Sequence, residues 1–402
     1  MVASSGGVER EGAPGRLMLP SLGLTRFALQ LPRILTGLLL IDIAATFGVS
    51  VGVMGQIRTV SAAVGMFGAL LMGVLSVRYR HKSLLLAGLL FLGLSTLGCA
   101  FSPDFGAMLL MFSLSGVAGV MANPMSTALV GELLPVEKRA GTVGWMIGAS
   151  ALAYLVGAPV IAFVEGLGGW RTAFLVFVLP TSILSLALAH FGIPVEPGDH
   201  GRVSGDVSYS EAFRAVFTNK SAAACLLGSL LVMAVWSTHL AFSASFIRQR
   251  FMVSTGFASV STIVGAFSFI VGSVTSGRIV NRIGRKRVTS LTAAPAGGFL
   301  LLYYSVSNLW VALLLGWAAA LVNGMLSSAN SNLTLEQVPG HRGTMMSINA
   351  SAGSLGATIG TGVGGWILLS YGFLSLGSML GAMGVLAAVI YFSLVKDPLL
   401  SQ

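Results

Sequence analysis

The sequence has few charged residues for its length. Charged side chains make up 9% of the 402 residues, whereas soluble globular proteins carry about 25%. So few charges cannot cover a water-facing surface of ordinary size, which excludes a soluble enzyme. The composition therefore indicates a protein embedded in a lipid bilayer, and the mean hydropathy of +0.87 agrees with this interpretation.

Other features are also absent. The two cysteines, Cys99 and Cys225, lie inside apolar segments, so a disulfide framework is not expected. The sequence has no G-x-x-x-x-G-K-[ST] loop, no H-E-x-x-H motif and no cluster of cysteine and histidine. We therefore expect no ATP, no metal, no cofactor and no enzyme activity. Residues 1–16 lack the order of a cleaved signal peptide, so the first apolar segment is expected to be retained.

Twelve apolar segments are long enough to cross a membrane as helices, because a spanning helix needs about 20 mostly apolar residues. They are 18–42, 57–77, 83–102, 106–131, 141–164, 170–193, 221–246, 256–279, 287–306, 309–333, 343–369 and 372–395. A polar stretch separates the first six from the last six, and its part from Ser208 to Lys220 predicts a short amphipathic helix. The predicted units are an N-terminal cytoplasmic tail, a six-helix bundle, a cytoplasmic linker, a second six-helix bundle and a C-terminal tail, at 1–17, 18–193, 194–220, 221–395 and 396–402.

The basic residues are distributed unevenly between the two sides of these segments. The chain has 23 basic and 13 acidic residues, a net charge of +10. Seventeen basic residues fall in loops on the side of the amino terminus and four, including Arg58, fall in loops on the other side; Arg26 and Arg33 belong to the first span. This asymmetry predicts that both termini are cytoplasmic. The positive charge therefore orients the chain in the bilayer and does not indicate a nucleic-acid partner.

The two halves also share a sequence repeat. Four residues recur 204 positions later: Gly73, Arg78, Lys82 and Glu132 correspond to Gly277, Arg282, Lys286 and Glu336. After a one-residue deletion, Arg139 corresponds to Arg342. Repeats of six spans joined by a polar linker are typical of one transporter architecture, in which the substrate site lies between the halves.

The segments Gly73–Lys82 and Gly277–Lys286 resemble the G-x-L-x-D-R-x-G-R-K loop signature of the major facilitator superfamily. The segment Gly169–Phe174 (GWRTAF) and the run Gln56-Ile-Arg58 resemble its twelve-span drug and sugar exporters, which include drug/proton antiporters and arabinose-efflux proteins. The resemblance implies an all-α membrane protein with twelve transmembrane helices in two bundles. It also implies a multi-pass protein of the inner (plasma) membrane of a prokaryote.

The resemblance further assigns a gating role to the repeated loop residues. In this superfamily, such charges form a cytoplasmic ion-pair network that latches the outward-facing state. The matching residues are Gly73, Arg78, Lys82, Glu132, Arg139, Gly277, Arg282, Lys286, Glu336 and Arg342. The alternative is that these arginines and lysines only orient the chain in the membrane.

Polar residues inside the spans are the candidates for substrate binding. Arg33 is a charge within a span, which is tolerated mainly beside water or a partner. It would favour an anionic or strongly hydrogen-bonding substrate, unless it extends to the interface. The resemblance places several spans at a central cavity, and those spans supply Gln30, Asn123, Trp145, Trp236, His239, Asn323 and Asn349. Some of these side chains are alternatively expected to bond neighbouring helices.

Titratable groups are scarce in the spans, which limits the routes for proton coupling. The candidates are Asp42, at the outer end of the first span, and His239, inside the seventh. A buried histidine with only a structural role is the alternative for His239. We predict a secondary transporter of a small organic molecule, acting by export, with proton antiport as one form of coupling. Uptake or facilitated diffusion of a small organic anion or sugar is the alternative, and a non-transporting membrane sensor or assembly protein is the second alternative.

Overall fold

The computed structural model describes residues 17–134, 136–194, 209–339 and 342–397. Within these ranges the chain forms helices and no strand. Helices satisfy every backbone hydrogen bond internally, which lipid requires. The α-helices are α1 Met18–Leu38, α2 Leu40–Phe47, α3 Val51–Met54, α4 Gln56–Arg78, α5 His81–Ala100, α6 Phe105–Leu133, α7 Val136–Leu152, α8 Ala158–Ala173, α9 Leu179–Gly192, α10 Tyr209–Thr218, α11 Lys220–Phe251, α12 Thr255–Ile283, α13 Arg285–Ser305, α14 Leu309–Leu335 and α15 Arg342–Ser393. Two π-helical turns, Ala153–Gly157 and Phe174–Val178, precede α8 and α9.

Several helices in the described ranges are long and apolar enough to cross a membrane. Seven segments meet this description: His81–Ala100, Phe105–Leu133, Thr142–Gly192, Lys220–Phe251, Thr255–Val280, Leu309–Leu335 and Thr344–Ser393. The pair α1 and α2 forms an eighth if the two helices are taken together. The structure is thus an all-helical membrane fold.

The first span differs from its prediction as an unbroken helix over 18–42. The chain bends by 66° between α1 and α2, and Leu39, between them, has φ −104° and ψ 19°. The helix then continues to Phe47, five residues beyond the predicted end. Thr36 and Gly37 precede the bend, but the sequence does not specify it, because a bend also depends on what the helix packs against.

The ends of the helices define two faces of the bundle. We call the end that holds residues 78–82, 132–134, 192–194, 218–220, 283–285 and 335–339 the connector end. The opposite end, with residues 47–56, 101–105, 165–171, 248–255, 305–309 and 370–372, is the far end. Short polar side chains begin helices at the far end: Asp104 accepts a hydrogen bond from Ala107 N at 2.9 Å, and Asn308 accepts one from Trp310 N at 2.9 Å.

Two glycines confirm that the halves repeat in conformation as well as in sequence. Gly169 has φ 81° and ψ 179°, and Gly372 has φ 78° and ψ −174°. Each interrupts a long helix at the far end, where a residue with a Cβ would be strained. These positions are 203 residues apart, which is the spacing expected after the one-residue deletion.

Helix packing repeats in the same way. A Cβ atom at Gly116 of α6 would lie 2.0 Å from the carbonyl oxygen of Ser61 on α4. A Cβ atom at Gly324 of α14 would lie 2.0 Å from the carbonyl oxygen of Phe269 on α12. In each half, therefore, the same two helices are in backbone contact, which only glycine permits.

The predicted amphipathic helix of the connector is present as α10, Tyr209–Thr218. Its Val216 is buried among Ala222, Leu226 and Met345 of the second half. The tail at 1–16, most of the linker and residues 398–402 lie outside the described part of the chain.

Candidate functional site

A cavity of about 430 Å³ lies between the two halves. The first half contributes Gln30 of α1 together with Ile147, Ser150, Ala151 and Tyr154 from α7 and the π-helical turn after it. The second half contributes the larger part of the wall, from α11, α12, α13 and α14. A cavity of this size accommodates a small organic molecule.

Aromatic rings form the wall on the side of the second half. Trp236 stacks on Phe269 with centroids 5.4 Å apart and planes inclined by 18°. His239 lies 5.5 Å from Trp236 and meets Tyr303 edge to face at 5.2 Å. All four residues line the cavity. This wall can receive a flat apolar group by stacking.

Three of the predicted binding residues, Gln30, Trp236 and His239, lie at the cavity wall. His239 is 6% exposed, and its Nδ1 lies 3.4 Å from the hydroxyl oxygen of Tyr304. Asn323 is 2% exposed and lies one helical turn from Ala320, which lines the cavity. The amide nitrogen Nδ2 of Asn323 has no hydrogen-bond partner among the described residues.

Asn123 instead connects two helices of the first half. Arg26 Nη1 donates to Asn123 Oδ1 at 2.7 Å, and Arg26 Nη2 donates to the Asn123 carbonyl oxygen at 2.9 Å. Arg26 Nη2 also donates to Thr127 Oγ1 at 2.6 Å. The three contacts hold α1 against α6 and give Arg26 a packing role.

Trp145 and Asn349 also lie away from the cavity wall. Trp145 is 54% exposed, and its Nε1 donates to the carbonyl oxygen of Leu19 at 3.3 Å. Asn349 is half-buried on α15, and its Oδ1 has no hydrogen-bond partner among the described residues. The structure therefore does not group these two side chains with Gln30, Trp236 and His239.

Arg33 lies one helical turn from the cavity residue Gln30 and contacts a second arginine, Arg58, which was predicted to lie in a loop. Arg58 lies within α4, and its Nη2 donates to the carbonyl oxygen of Arg33. Its assignment to a loop was wrong, because the helix already begins at Gln56. The sequence already indicated that Arg58 belongs to a helix, because position 58 falls inside the predicted span 57–77.

At the far end, an ion pair joins the two halves. Arg248 of α11 donates to both carboxylate oxygens of Asp42 on α2, with Nη2 to Oδ1 at 2.9 Å. Thr59 Oγ1 and Thr361 Oγ1 are hydrogen-bonded at 2.9 Å. The carboxylate of Glu165 also lies near Thr255 of the other half. Asp42, a proton-coupling candidate, is thus bound to a cation.

At the connector end, the predicted gate residues make contacts within one half. Glu132 Oε1 lies 2.5 Å from His81 Nδ1, and Glu336 Oε1 lies 3.9 Å from Arg285 Nη1. Lys82 Nζ donates to the carbonyl oxygens of His190 at 2.8 Å and Ile193 at 2.5 Å, at the end of α9. A lysine at the carboxyl end of a helix binds carbonyls that lack helical partners.

The remaining gate residues are distributed around the same end. Arg78 and Arg282 are exposed. Lys286 Nζ lies 5.9 Å from the ring centroid of Phe392, and Gly277 has open space around it. The surroundings of Gly73 and the side chains of Arg139 and Arg342 lie outside the described part of the chain.

The residues at the site do not suggest a metal centre. Among the described residues, no three side chains of histidine, cysteine, aspartate or glutamate come together as metal ligands. The cavity wall itself carries no aspartate or glutamate. The chemistry available there is hydrogen bonding, stacking and, from Arg33 and Arg58 beside it, attraction of negative charge.

Comparison of the sequence with family profiles gives one match that covers nearly the whole chain. The profile described as Major Facilitator Superfamily matches residues 22–274 and 240–401.

Curated proteins of similar length match as well. An uncharacterised MFS-type transporter, YwfA of Bacillus subtilis, is 25% identical over 393 residues, covering 93% of this chain and 91% of the relative. The purine ribonucleoside efflux pump NepI of Salmonella paratyphi B is 25% identical over 369 residues, covering 89% of this chain and 88% of the relative. These relatives are transporters, and no enzyme is among the relatives named here.

Solved structures share the fold. A mutant of the nucleoside transporter NupG superposes with a TM-score of 0.78 at 14% identity, covering 94% of this chain and 99% of that chain. An inward-facing, unoccupied bacterial homologue of the human lysosomal transporter Spinster superposes with a TM-score of 0.72 at 17% identity, covering 95% of this chain and 98% of that chain.

Proposed function

The chain belongs to the major facilitator superfamily, and from that premise we propose that it transports a small organic molecule by alternating access. The observation that carries this proposal is the cavity of about 430 Å³ with walls from both halves. A site between two repeats can face one side of the membrane and then the other when the repeats rock.

The proposed topology has twelve spans with both termini in the cytoplasm. The breaks at Gly169 and Gly372 divide two segments of 51 and 50 residues, each long enough for two spans. The bent pair α1 and α2, together with α4 and α13, completes twelve. The connector end carries most of the loop arginines and lysines, which favours the cytoplasmic side of a prokaryotic inner membrane.

The contacts between the halves support a state that faces the cytoplasm. The hydrogen bonds and ion pairs between described residues of the two halves lie at the far end, as Gln56–Gly362, Thr59–Thr361 and Asp42–Arg248 show. At the connector end, the described ion pairs of Glu132 and Glu336 stay within one half. The proposed latch, with Arg78 and Arg282 among its members, would form when this end closes.

Export is the proposed direction. A relative that matches 89% of this chain is a purine ribonucleoside efflux pump. Purine ribonucleosides therefore belong in the first panel of test substrates, beside organic anions and sugars. Proton exchange is the proposed driving reaction, with Asp42 and His239 as the groups to test.

Uptake or facilitated diffusion of a small organic anion or sugar is the second candidate. It is favoured by the absence of aspartate and glutamate from the cavity wall, since proton coupling normally uses a titratable group in the pathway. The pair Arg33 and Arg58 beside the cavity also favours an anion.

Reconstitution separates these candidates. The protein is placed in liposomes that contain a pH-sensitive dye, a pH gradient is imposed, and purine ribonucleosides, sugars and organic anions are added in turn. Proton flux that depends on the substrate supports antiport, and substrate flux without proton movement supports facilitated diffusion. If no member of the panel moves, the transport proposal is contradicted.

Two variants then locate the proton route. We expect His239→Gln or Asp42→Asn to abolish proton flux if that residue carries the proton. His190→Gln is the matched control, because His190 is exposed at the connector end and meets Phe191 edge to face rather than lining the cavity. Equal proton flux in all three variants would exclude both candidates.

A further inference from the structure

Two arginines, Arg33 and Arg58, lie together inside the membrane-spanning region. The Nη2 atom of Arg58 donates to the backbone carbonyl of Arg33, so the Arg33 carbonyl, rather than a carboxylate, is its partner. The Nε atom of Arg58 is buried and has no hydrogen-bond partner among the described residues. Both Arg33 and the hydroxyl-bearing Tyr154 act electrostatically on Arg58. The two positive charges are therefore close enough to repel each other, and a negative group between them would relieve that repulsion.

Helical spacing places this arginine pair at the edge of the cavity. Gln30, Arg33 and Gly37 recur at the i, i+3 and i+7 positions of α1 and share one face. Gln30 lines the cavity. A methyl group at Gly37 would lie 2.7 Å from Arg58 Nη2 and 3.1 Å from the carbonyl oxygen of Leu240. Because Leu240 and Tyr154 line the cavity, the Arg58 guanidinium lies directly behind its wall, at the seam of the two halves.

The described carboxylates are engaged elsewhere. Both oxygens of Asp42 bind Arg248, and Glu165 lies near Arg248 and Thr255 at the far end. Asp104 begins α6 at the far end. Glu132 and Glu336 lie at the connector end, and so does Asp397, which follows the Lys396 carbonyl bound by Gln337. No described carboxylate therefore neutralises the arginine pair, and unpaired charges are costly away from water.

The opposite wall offers a different kind of contact. Trp236 and Phe269 stack at 5.4 Å, and the unpartnered amide of Asn323 lies one turn from the cavity residue Ala320. A ligand that meets both walls has a negatively charged group at one end and a flat apolar body at the other. Arginine is well suited to the charged end, because its planar fork binds carboxylate, phosphate and sulfonate oxygens with two hydrogen bonds.

We propose that the substrate is an aromatic organic anion, whose negative group binds Arg33 and Arg58 and whose ring lies against Trp236 and Phe269. This inference rests on the proposed transport function and narrows its substrate class. The two arginines supply a positive charge, and the residues that line the cavity include no arginine or lysine. The stacked rings of Trp236 and Phe269 favour a substrate with a flat aromatic body.

Binding by the full-length protein in lipid nanodiscs tests the proposal without requiring transport. Each probe is paired with a neutral molecule of the same shape: indole-3-acetate with indole-3-acetamide, and naphthalene-2-sulfonate with naphthalene-2-sulfonamide. Titration calorimetry measures the Kd of each compound. We expect the anion of a pair to bind at least tenfold more tightly, as hydrogen bonds to charged groups allow. If neither anion binds more tightly than its neutral partner, the proposal is wrong.

Variants test whether the two arginines are responsible. Arg33→Gln and Arg58→Gln are each expected to abolish the preference for the anion and to leave the Kd of the neutral partner nearly unchanged. Arg171→Gln is the matched control, because Arg171 donates to the carbonyl oxygen of Ser102 and packs over Trp170, away from the cavity. A preference that survives in both arginine variants overturns the assignment.

A second pair of variants covers the case in which an Arg→Gln variant fails to fold. Arg33→Lys and Arg58→Lys keep the positive charge but lose the planar guanidinium, so we expect a smaller preference for the anion. An unchanged preference for the anion contradicts the proposal. Transport in liposomes is measured separately. Transport of neutral compounds without any preference for anions would refute this inference and leave the proposed carrier function standing.

Discussion

At the far end an ion pair crosses between the two halves, whereas at the connector end the described ion pairs remain within one half. Asp42 and Arg248 belong to different halves. His81 with Glu132, and Arg285 with Glu336, each belong to the same half. The residue types are similar at both ends, so the difference lies in which helices they connect.

An ion pair has a different effect within one half than between the two halves. A pair within a half stabilises that half in every state of a carrier, because the half moves as one body. A pair between the halves stabilises only the state in which that end is closed, so it changes the balance between states. The far-end contacts therefore are expected to control access, and the described connector-end contacts to control stability.

Reversing the charge of Arg248 is expected to have the largest effect. Arg248→Asp places a third carboxylate near Asp42 and Glu165 and removes about 2 kcal/mol from the closed far end, less than for a fully buried pair. We expect at least tenfold faster labelling of a cysteine at the cavity residue Ser243 by an impermeant maleimide added at the far end. The background replaces Cys99 and Cys225, which are both buried.

The double variant with Asp42→Arg and Arg248→Asp is the control for this prediction. It restores opposite charges across the halves and is expected to return the labelling rate toward that of the parent. An unchanged rate in Arg248→Asp alone would show that the pair does not hold the far end closed.

A change at Glu336 is expected to have the next largest effect. The transport rate reports a role of Glu336 in a latch, and the melting temperature reports its role in the stability of its own half. Glu336→Gln should slow transport about fivefold if the residue takes part in a latch, since a partly buried pair contributes more than an exposed one. Exchanging the charges of Glu336 and Arg285 should restore the melting temperature. Exchanging those of Glu336 and Arg282 should restore transport. Restoration of transport by the first exchange and not by the second would contradict the latch.

A neutral contact between the halves is expected to have a smaller effect. Thr59→Val removes the hydrogen bond to Thr361, worth about 1 kcal/mol, and should raise far-end labelling about threefold to fivefold. Ser115→Ala is the matched control, because Ser115 bonds Ser61 inside the first half at 3.1 Å. Equal labelling rates in the two variants would remove the distinction between contacts within and between halves.

His81 is expected to show the smallest effect. The side chains of His81 and Glu132 are 23% and 38% exposed, so the pair is screened by water and salt. His81→Ala should change the free energy of unfolding by about 0.5 kcal/mol or less. A melting curve in high salt should show no difference from the parent. A large loss at all salt concentrations would mean that the pair is structural.

Much of the fold could be predicted from local patterns. The break between the fifth and sixth predicted spans falls at Gly168 and Gly169, and that between the last two falls at Gly372. Each break has a polar or glycine signal in the sequence. The bend after Leu38 follows Gly37, but glycine also occurs inside unbroken helices of this chain, such as Gly88 and Gly93 of α5, so this signal alone does not predict a bend.

The site was predicted less completely. Gln30, Trp236 and His239 were identified because polar or aromatic residues stand out in apolar spans. Tyr154 and Phe269 were missed, since aromatic residues are common in membrane helices. Asn123 was grouped with the binding residues, but Arg26 holds it against α1. A side chain's partner is a property of packing, which residue type alone does not specify.

Composition and the spacing of apolar residues determined that this chain enters a membrane as helices and that its halves repeat, because lipid allows few other backbone arrangements. Tertiary structure alone decided that Asp42 binds Arg248, that Arg58 binds the carbonyl of Arg33, and that Thr59 and Thr361 of the two halves meet. Those facts depend on contacts between residues that are distant in the chain, and a repeat of six helices is compatible with several arrangements of its two halves.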